Sequence, residues 1–429
     1  GAPVHTSNLR LVTFSVIQLV AGAAVALLTL LPVAVAAGLT AMLVIYYPAE
    51  VSALAFLAVV PATMIVFAFW AAFCKKLVHP RPRPGVYEVY SFAYLQHWLS
   101  SIVMQIVQAV GLPVFTTVYL PAWMRLLGAR LGRHTEMSTV WRINPDMLTA
   151  GDGVFFADGC MIGGTRTHLG RFSVARNEIG DRTFVGNSAI LPAGTMLGSN
   201  CLLGVLSAPP HPTDPIPDNT DWLGSPGFLL PNRQKVSCFD PKLTFRPTTW
   251  LYLQRAAIDG LRVVLPGYIY GGLGILSLLV ILTAYAQYGV WGAYTAIPLL
   301  TWTAVSLCLL TVVVLKWLIM GEFRPVVVPL WSRYVWWNEL INGLYESLMA
   351  PLVTNFFGTP IAPMLLRTLG CKIGRYCYIE TALFSEFDLV EVGDHVALNA
   401  GAVMQNHLFE DRVMKSSTLR IGDGCTVGN

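Results

Sequence analysis

The sequence predicts a membrane protein in which α-helical transmembrane hairpins alternate with left-handed parallel β-helix domains. Three observations predict it. Of 429 residues, 55% are hydrophobic and only 12% are charged, where a soluble domain carries about 25% charged residues. Apolar runs long enough to cross a bilayer come in two pairs. Between and after the pairs, aliphatic residues recur at every sixth position. Mean hydropathy is +0.58. The net charge of +4 is diffuse, which argues against nucleic acid as a partner.

The membrane segments come first. Leu11 to Tyr47 contains no Lys, Arg, Asp or Glu, and Val51 to Cys74 is a second such run. A third opens at Val263 and reaches Tyr285, and a fourth runs from Val290 to Leu315. A bilayer core needs about 20 apolar residues per helix, so each run can span, and Pro32 is expected to end or kink the first. Arg10 precedes the first pair, and Lys75, Lys76, Arg81 and Arg83 follow it. Arg255 and Arg262 precede the second, and Lys316, Arg324 and Arg333 follow it. The connections Pro48–Glu50 and Ala286–Gly289 carry no Lys or Arg. Positive residues mark the cytoplasmic side, so both hairpins are expected to start and finish there, with cytoplasmic soluble domains. After each hairpin comes an aromatic, weakly charged helix pattern, 94–110 and 336–353. It suits either the membrane surface or a buried helix packed on the soluble domain.

The chain is duplicated. Residues 127–187 align with 369–429 without a gap, with 16 of 61 positions identical. "GDGV" at 151 meets "GDHV" at 393, and "IGDRTFVGN" at 179 meets "IGDGCTVGN" at 421. A repeat this long is a tandem domain duplication. The expected organisation is a first hairpin (1–76), linker helices (77–126), a β-helix domain (127–245), a second hairpin (255–320), linker helices (321–368) and a second, truncated β-helix domain (369–429). The chain opens on Gly1 and stops in mid-pattern at Asn429, so it reads as a segment of a longer protein.

Within the soluble parts, Ile179, Val185, Leu191, Leu197 and Leu203 form an unbroken series of hexads. Val392, Leu398 and Met404 hold the same phase, and Ile421 and Val427 resume it. Neither a helix nor an alternating strand has period six. Three hexads make one coil of a left-handed parallel β-helix, with the aliphatic residue inside and Gly or Asn at the corner. The eight cysteines form no CxxC pair. They read as small buried hydrophobes in a reducing compartment, with neither disulfides nor a metal site.

These hexads resemble those of hexapeptide-repeat acyltransferases. "DWLGSPGFLLPNR" (221–233) is similar to the segment that closes their β-helix near the acyl-donor channel. The alternation of hairpins and soluble domains resembles the carboxy-terminal membrane region of ε-poly-lysine synthetase-like nonribosomal peptide synthetases. That family carries adenylation and carrier domains upstream, then six membrane helices alternating with three soluble domains. The resemblance implies the bacterial plasma membrane and antibiotic-type homopolymer biosynthesis. It also implies a substrate delivered on the phosphopantetheine of a carrier domain outside this chain, with no cofactor bound directly. The implied partners are the upstream domains, membrane lipids, an amine or peptide acceptor and other copies in a homo-oligomer.

Both copies break the hexad series at the same place. Met404 is followed by Ile421, and Ile162 by Ile179, so a loop must leave the coil there. In hexapeptide acyltransferases such a loop, or the coil beside it, holds the catalytic histidine. "HLFEDRVMK" (407–415) lies in it. Amide formation from a thioester needs a base to take the amine's proton, and histidine titrates in the right range. His407 is the candidate base, with Glu410 or Asp411 orienting its ring and coil N–H groups holding the oxyanion. The gap-free alignment places Thr165 opposite His407, while a shifted loop would pair His168 with it. The first domain is therefore either a scaffold or a site using His168. His168, Asn399 and Trp222 are candidate substrate-binding residues. His134, His211 and His395 read as structural.

The expected activity is peptide-bond formation by aminoacyl transfer from a carrier thioester to an amine. The rival readings are an acyl-CoA-dependent membrane acyltransferase acting on a sugar or lipid, and a non-catalytic membrane scaffold. A transporter is disfavoured because the spans contain almost no ionisable residues.

Overall fold

The computed structural model describes residues 7–211, 214–231 and 239–428. The chain divides into two compact units, Gly1–Gln234 and Lys235–Asn429.

Unit 1 opens with helices α1 (Asn8–Tyr46) and α2 (Ala49–Val78). The Ser7 side chain caps α1 by accepting from the Arg10 backbone N–H. Pro32 neither ends nor interrupts α1, and α2 likewise runs through Pro61. Prolines are tolerated in bilayer-length helices because neighbouring groups satisfy the freed carbonyls. The pair is pinned by Trp70, whose ring N–H donates to the Leu28 carbonyl across the hairpin at 2.7 Å. Ser52 closes the turn by donating to the Leu43 carbonyl at 2.9 Å. Helix α3 (Phe92–Val110) packs against both, burying Leu99, Val103 and Val107. The short helix α4 (Leu120–Leu126) then leads into the soluble part.

Unit 2 repeats the plan. Helix α5 (Thr249–Ile319) covers the third and fourth apolar runs and is broken at Gly289, which takes φ 64° and ψ −154°. That conformation is open only to glycine, so one residue makes the hairpin turn. α1, α2 and α5 are long and apolar enough to cross a membrane. Large side chains such as Leu19, Leu27, Trp291 and Leu299 face outward on them, as lipid contact requires. Helix α6 (Arg333–Leu344) is enclosed by its own unit and buries Val335, Trp336, Asn338, Leu340 and Ile341. The buried-helix reading therefore describes it.

In each unit the hexads build parallel ladders that the chain visits in rotation. In unit 1 one ladder joins Arg130–Leu131, Leu148–Ala150, Asn177–Ile179 and Met196–Leu197. A second joins Glu136–Met137, Phe155–Phe156, Phe184–Val185 and Leu202–Leu203. A third pairs Met161–Gly164 with Ile190–Pro192. Ile179 thus lies beside Leu197, and Val185 beside Leu203. Ile179, Val185, Leu191, Leu197 and Leu203 are all buried. In unit 2, Lys372–Ile373, Val390–Val392 and Leu419–Ile421 form one ladder. Tyr378–Ile379, Ala397–Leu398 and Thr426–Val427 form another.

The recurring Gly-Asp pair has a geometric cause. At one corner each aspartate reaches back to the preceding coil and accepts a backbone N–H there. Asp152 accepts from Arg133 at 2.6 Å, Asp181 from Asp152 at 2.7 Å and Asp218 from Ser199 at 2.6 Å. Unit 2 repeats this with Asp394 and Arg375 at 2.6 Å and Asp423 and Asp394 at 2.7 Å. A Cβ at Gly151 or Gly393 would collide with the carboxylate of Asp181 or Asp423. The aspartate satisfies a corner N–H that the ladder leaves over, and the glycine makes room for it.

Each apolar helical hairpin is tied to the ladders of its own unit by a buried ion pair. In unit 1 Lys75, near the end of α2, pairs with Asp146 and donates to the Leu127 carbonyl at 2.8 Å. In unit 2 Lys316, near the end of α5, lies 2.6 Å from Asp388, which also accepts from the Phe323 N–H at 3.0 Å.

Candidate active site

The break in the hexad series is a β-hairpin in both units. In unit 2, His407–Glu410 pairs antiparallel with Val413–Ser416, and Val327–Pro329 adds a third strand. In unit 1 the equivalents are Arg166–His168, Arg171–Val174 and Gly85–Glu88. The register settles the correspondence between copies. Val86 pairs with Ser173 as Val327 pairs with Lys415. Ser173 faces Arg166 and Lys415 faces Leu408. Thr165 therefore stands at the position of His407. His168 stands where Glu410 does, exposed and paired with Arg171 near the hairpin tip. The shifted pairing of the two histidines does not occur.

His407 sits at the base of its hairpin with its side chain only 10% exposed. Its Nδ1 lies 2.9 Å from both carboxylate oxygens of Glu386. Glu386 is fully buried and belongs to the preceding coil, so it reaches His407 by stacking rather than by sequence proximity. It adopts a left-handed backbone conformation, φ 38° and ψ 59°, which costs a non-glycine residue about 1–3 kcal/mol. Asn406 holds that turn by donating its side-chain amide to the Ser385 and Glu386 carbonyls, at 3.3 and 3.2 Å. Asn338, buried on α6, donates to Glu386 Oε1 at 2.7 Å. Burial alone would raise the Glu386 pKa. The charge of His407 and the hydrogen bonds from His407, Asn338 and Ser385 outweigh it and hold the group below the ordinary glutamate value. The carboxylate stays ionised and accepts from Nδ1 of His407, which in the neutral ring leaves Nε2 as the nitrogen that can take a proton. Nε2 meets the side-chain amide nitrogen of Gln405 at 3.1 Å. The Phe409 ring covers the imidazole edge-on, with centroids 5.4 Å apart. Nearby Tyr334 is pushed up to about 12 by burial and by the charges of Glu386 and Asp388, so it stays protonated.

A hydrogen-bonded imidazole and carboxylate can act as a base and then hold the resulting positive charge. Of the expected catalytic residues, the structure brings only His407 to this point. Glu410 is turned away and pairs with Lys415 at 2.7 Å, and Asp411 lies at the hairpin tip with φ 49°. The carboxylate beside the ring is Glu386 instead, because the ring lies against the preceding coil and not against its own strand. Glu386 and Asn338 were missed. A signal existed for Glu386: one coil spans three hexads, so a carboxylate about that far before the histidine lies beside it. No sequence signal pointed to Asn338, which arrives from a helix outside the coil.

The other expected site residues are dispersed. Asn399 is half-buried, and its N–H donates to Val427 within a ladder. Trp222, in unit 1, donates its ring N–H to Thr220 at 3.0 Å. It belongs to the hairpin Asp221–Leu223 with Phe228–Leu230, and the last residues of that sequence segment, 232 and 233, lie outside the described residues. His134 and His395 occupy corners with φ 52° and 57°, His395 stacks on Tyr376, and His211 is exposed. Cys238 also lies outside the described residues.

Unit 1 lacks the pair. By the gap-free alignment Thr165 replaces His407 and Asn144 replaces Glu386. Counting from the serine that precedes each helix, Ser91 and Ser332, His97 takes the place of Asn338. His97 stacks on Phe172 and is driven down to about 4 by burial and by His79 and Lys75, so it is neutral at neutral pH.

No family model matches the chain. It is 36% identical over 376 residues to the delta-poly-L-ornithine synthetase of Acinetobacter baumannii, an alignment covering 87% of this chain and 28% of that protein. The chain thus spans little more than a quarter of the length of its curated relative. Solved structures of similar shape include soybean serine acetyltransferase, at 18% identity over 39% of this chain and 57% of that one, with a TM-score of 0.22. A hexapeptide-repeat acetyltransferase from Vibrio cholerae is 14% identical over 30% of this chain and 90% of that one, with a TM-score of 0.24. At such scores these likenesses carry no argument about activity. The chain is thus similar in sequence to one section of a poly-amino-acid synthetase.

Proposed function

We propose that the chain is a membrane-anchored condensation module that moves an aminoacyl group from a carrier-bound thioester to an amine acceptor. The observation that carries this reading is the buried Glu386–His407 pair on the coil loop of unit 2. The similarity to a poly-ornithine synthetase supports the same class of reaction. In this reading the ladders close into left-handed β-helices, the hairpins cross the bacterial plasma membrane, and both coils lie on the cytoplasmic side. The thioester is carried on phosphopantetheine of a carrier domain, and neither metal nor cofactor is bound directly. Upstream adenylation and carrier domains, membrane lipids and further copies of the chain are its partners.

The chemistry needs no enzyme nucleophile, because the thioester is already activated. The amine nitrogen forms a bond to the thioester carbonyl carbon, and His407 Nε2 takes an amine proton. As the carbon–sulfur bond breaks, the same proton passes to the departing thiolate. Amide and free thiol result, and the histidine is restored. Glu386 stabilises the imidazolium between the two transfers. With Thr165 and Asn144 at the corresponding positions, the coil of unit 1 serves as a scaffold.

The test is His407→Ala, in the protein as it occurs with its carrier. Thioester loading should persist while product formation falls by about 10²–10⁴-fold, the usual worth of a positioned base. Unchanged product formation would overturn the assignment.

A further inference from the structure

Two sides of His407 are occupied. Glu386 is fully buried against Nδ1, and Phe409 packs edge-on against the ring. The working nitrogen, Nε2, faces Gln405 at 3.1 Å. Gln405 is half-buried and lies two residues before His407, just ahead of the strand His407–Glu410. In the neutral ring with Nδ1 donating to the carboxylate, Nε2 is the acceptor, and the Gln405 amide is placed to donate to it. An N–H donor at hydrogen-bond distance from the base is also what an attacking amine must present. In unit 1, where the histidine is absent, Gly163 and Gly164 replace Gln405 and Asn406, so the carboxamide accompanies the base.

We propose that the Gln405 carboxamide occupies the acceptor-amine subsite, and that a primary amine binds His407 by displacing it. The inference rests on the aminoacyl-transfer reading. It assigns the approach to the base: the acceptor arrives over Gln405, and the flexible side chain swings outward to admit it. Until then the amide keeps the base nitrogen capped, which limits wasteful hydrolysis of the thioester by water.

Two measurements test it on the chain in lipid nanodiscs. The first reads access without catalysis. Diethyl pyrocarbonate acylates neutral imidazole nitrogen, and mass spectrometry of the peptide containing His407 gives its rate. Gln405→Ala should raise that rate about 3- to 10-fold, the range of one net hydrogen bond, and a simple primary amine such as propylamine should protect. The second uses an aminoacyl N-acetylcysteamine thioester with a free primary amine. Gln405→Ala should lower the KM for the amine by a similar factor and raise hydrolysis of the thioester. An unchanged labelling rate, or a KM that is unchanged or raised, overturns the subsite. If labelling rises and the amine protects while His407→Ala retains full transfer, the subsite stands and the transfer reading fails.

Discussion

Both oxygens of Glu386 lie 2.9 Å from Nδ1 of His407, and the two residues come from successive coils. The pair therefore exists only if the coils stack in register. Its chemistry is a product of the fold's repeat rather than of any local motif. Replacing Glu386 by Gln keeps the shape and removes the charge that stabilises the imidazolium. The transfer rate should fall by about 10²-fold or more, read as initial rates on a preformed thioester. A loss of less than twofold would mean that the carboxylate only holds the loop.

The same carboxylate makes unit 2 sensitive to acid. Its pKa is lower in the folded protein than the ordinary value of 4.5. Within the interval between those two values the unfolded chain binds more protons, so stability rises with pH. The contribution is complete above the ordinary value and is lost as pH falls through the lower, folded one. Thermal unfolding followed from pH 6 downward should show the loss, and Glu386→Gln should flatten that part of the profile.

At the corners, Gly151 leaves room for Asp181, whereas nothing lies within 4 Å of a Cβ added at Gly164. Gly151→Ala should destabilise unit 1 by about 1–3 kcal/mol through overpacking. Gly164→Ala should stay within about 0.5 kcal/mol of the parent. Chemical denaturation of the two variants side by side checks the contrast.

The hairpin turn of α5 offers a test of orientation. Tyr288 is 72% exposed beside the break at Gly289, and Cys425 is exposed on the second coil. If the turn lies outside and the coil inside, a membrane-impermeant maleimide added to intact cells should label Tyr288→Cys and spare Cys425. Labelling of Cys425 alone would invert the topology.

Much of the architecture was legible because it rests on period and composition. The hexads from Ile179 to Leu203 are inward-facing positions of the ladders, and the duplication correctly placed Thr165 opposite His407. The hairpin that carries His407 was legible too, since the break in period marks where it leaves the coil. Its partner was sought among neighbours in sequence, at Glu410 and Asp411, where strand alternation and the turn carry them away. Glu386 was one coil back, and Asn338 came from a helix whose packing no periodicity encodes. Pro32 does not end α1: the carbonyl four residues before it, Leu28, accepts from Trp70 of the neighbouring helix, as the freed groups of such helices do.

Glu386 and Asp388 flank one short turn, Phe387–Leu389. The first grips the base, and the second grips Lys316 near the end of α5. One short turn thus links the long apolar helix to the imidazole. In the proposed membrane setting, the depth at which Lys316 rides would bear mechanically on the placement of His407.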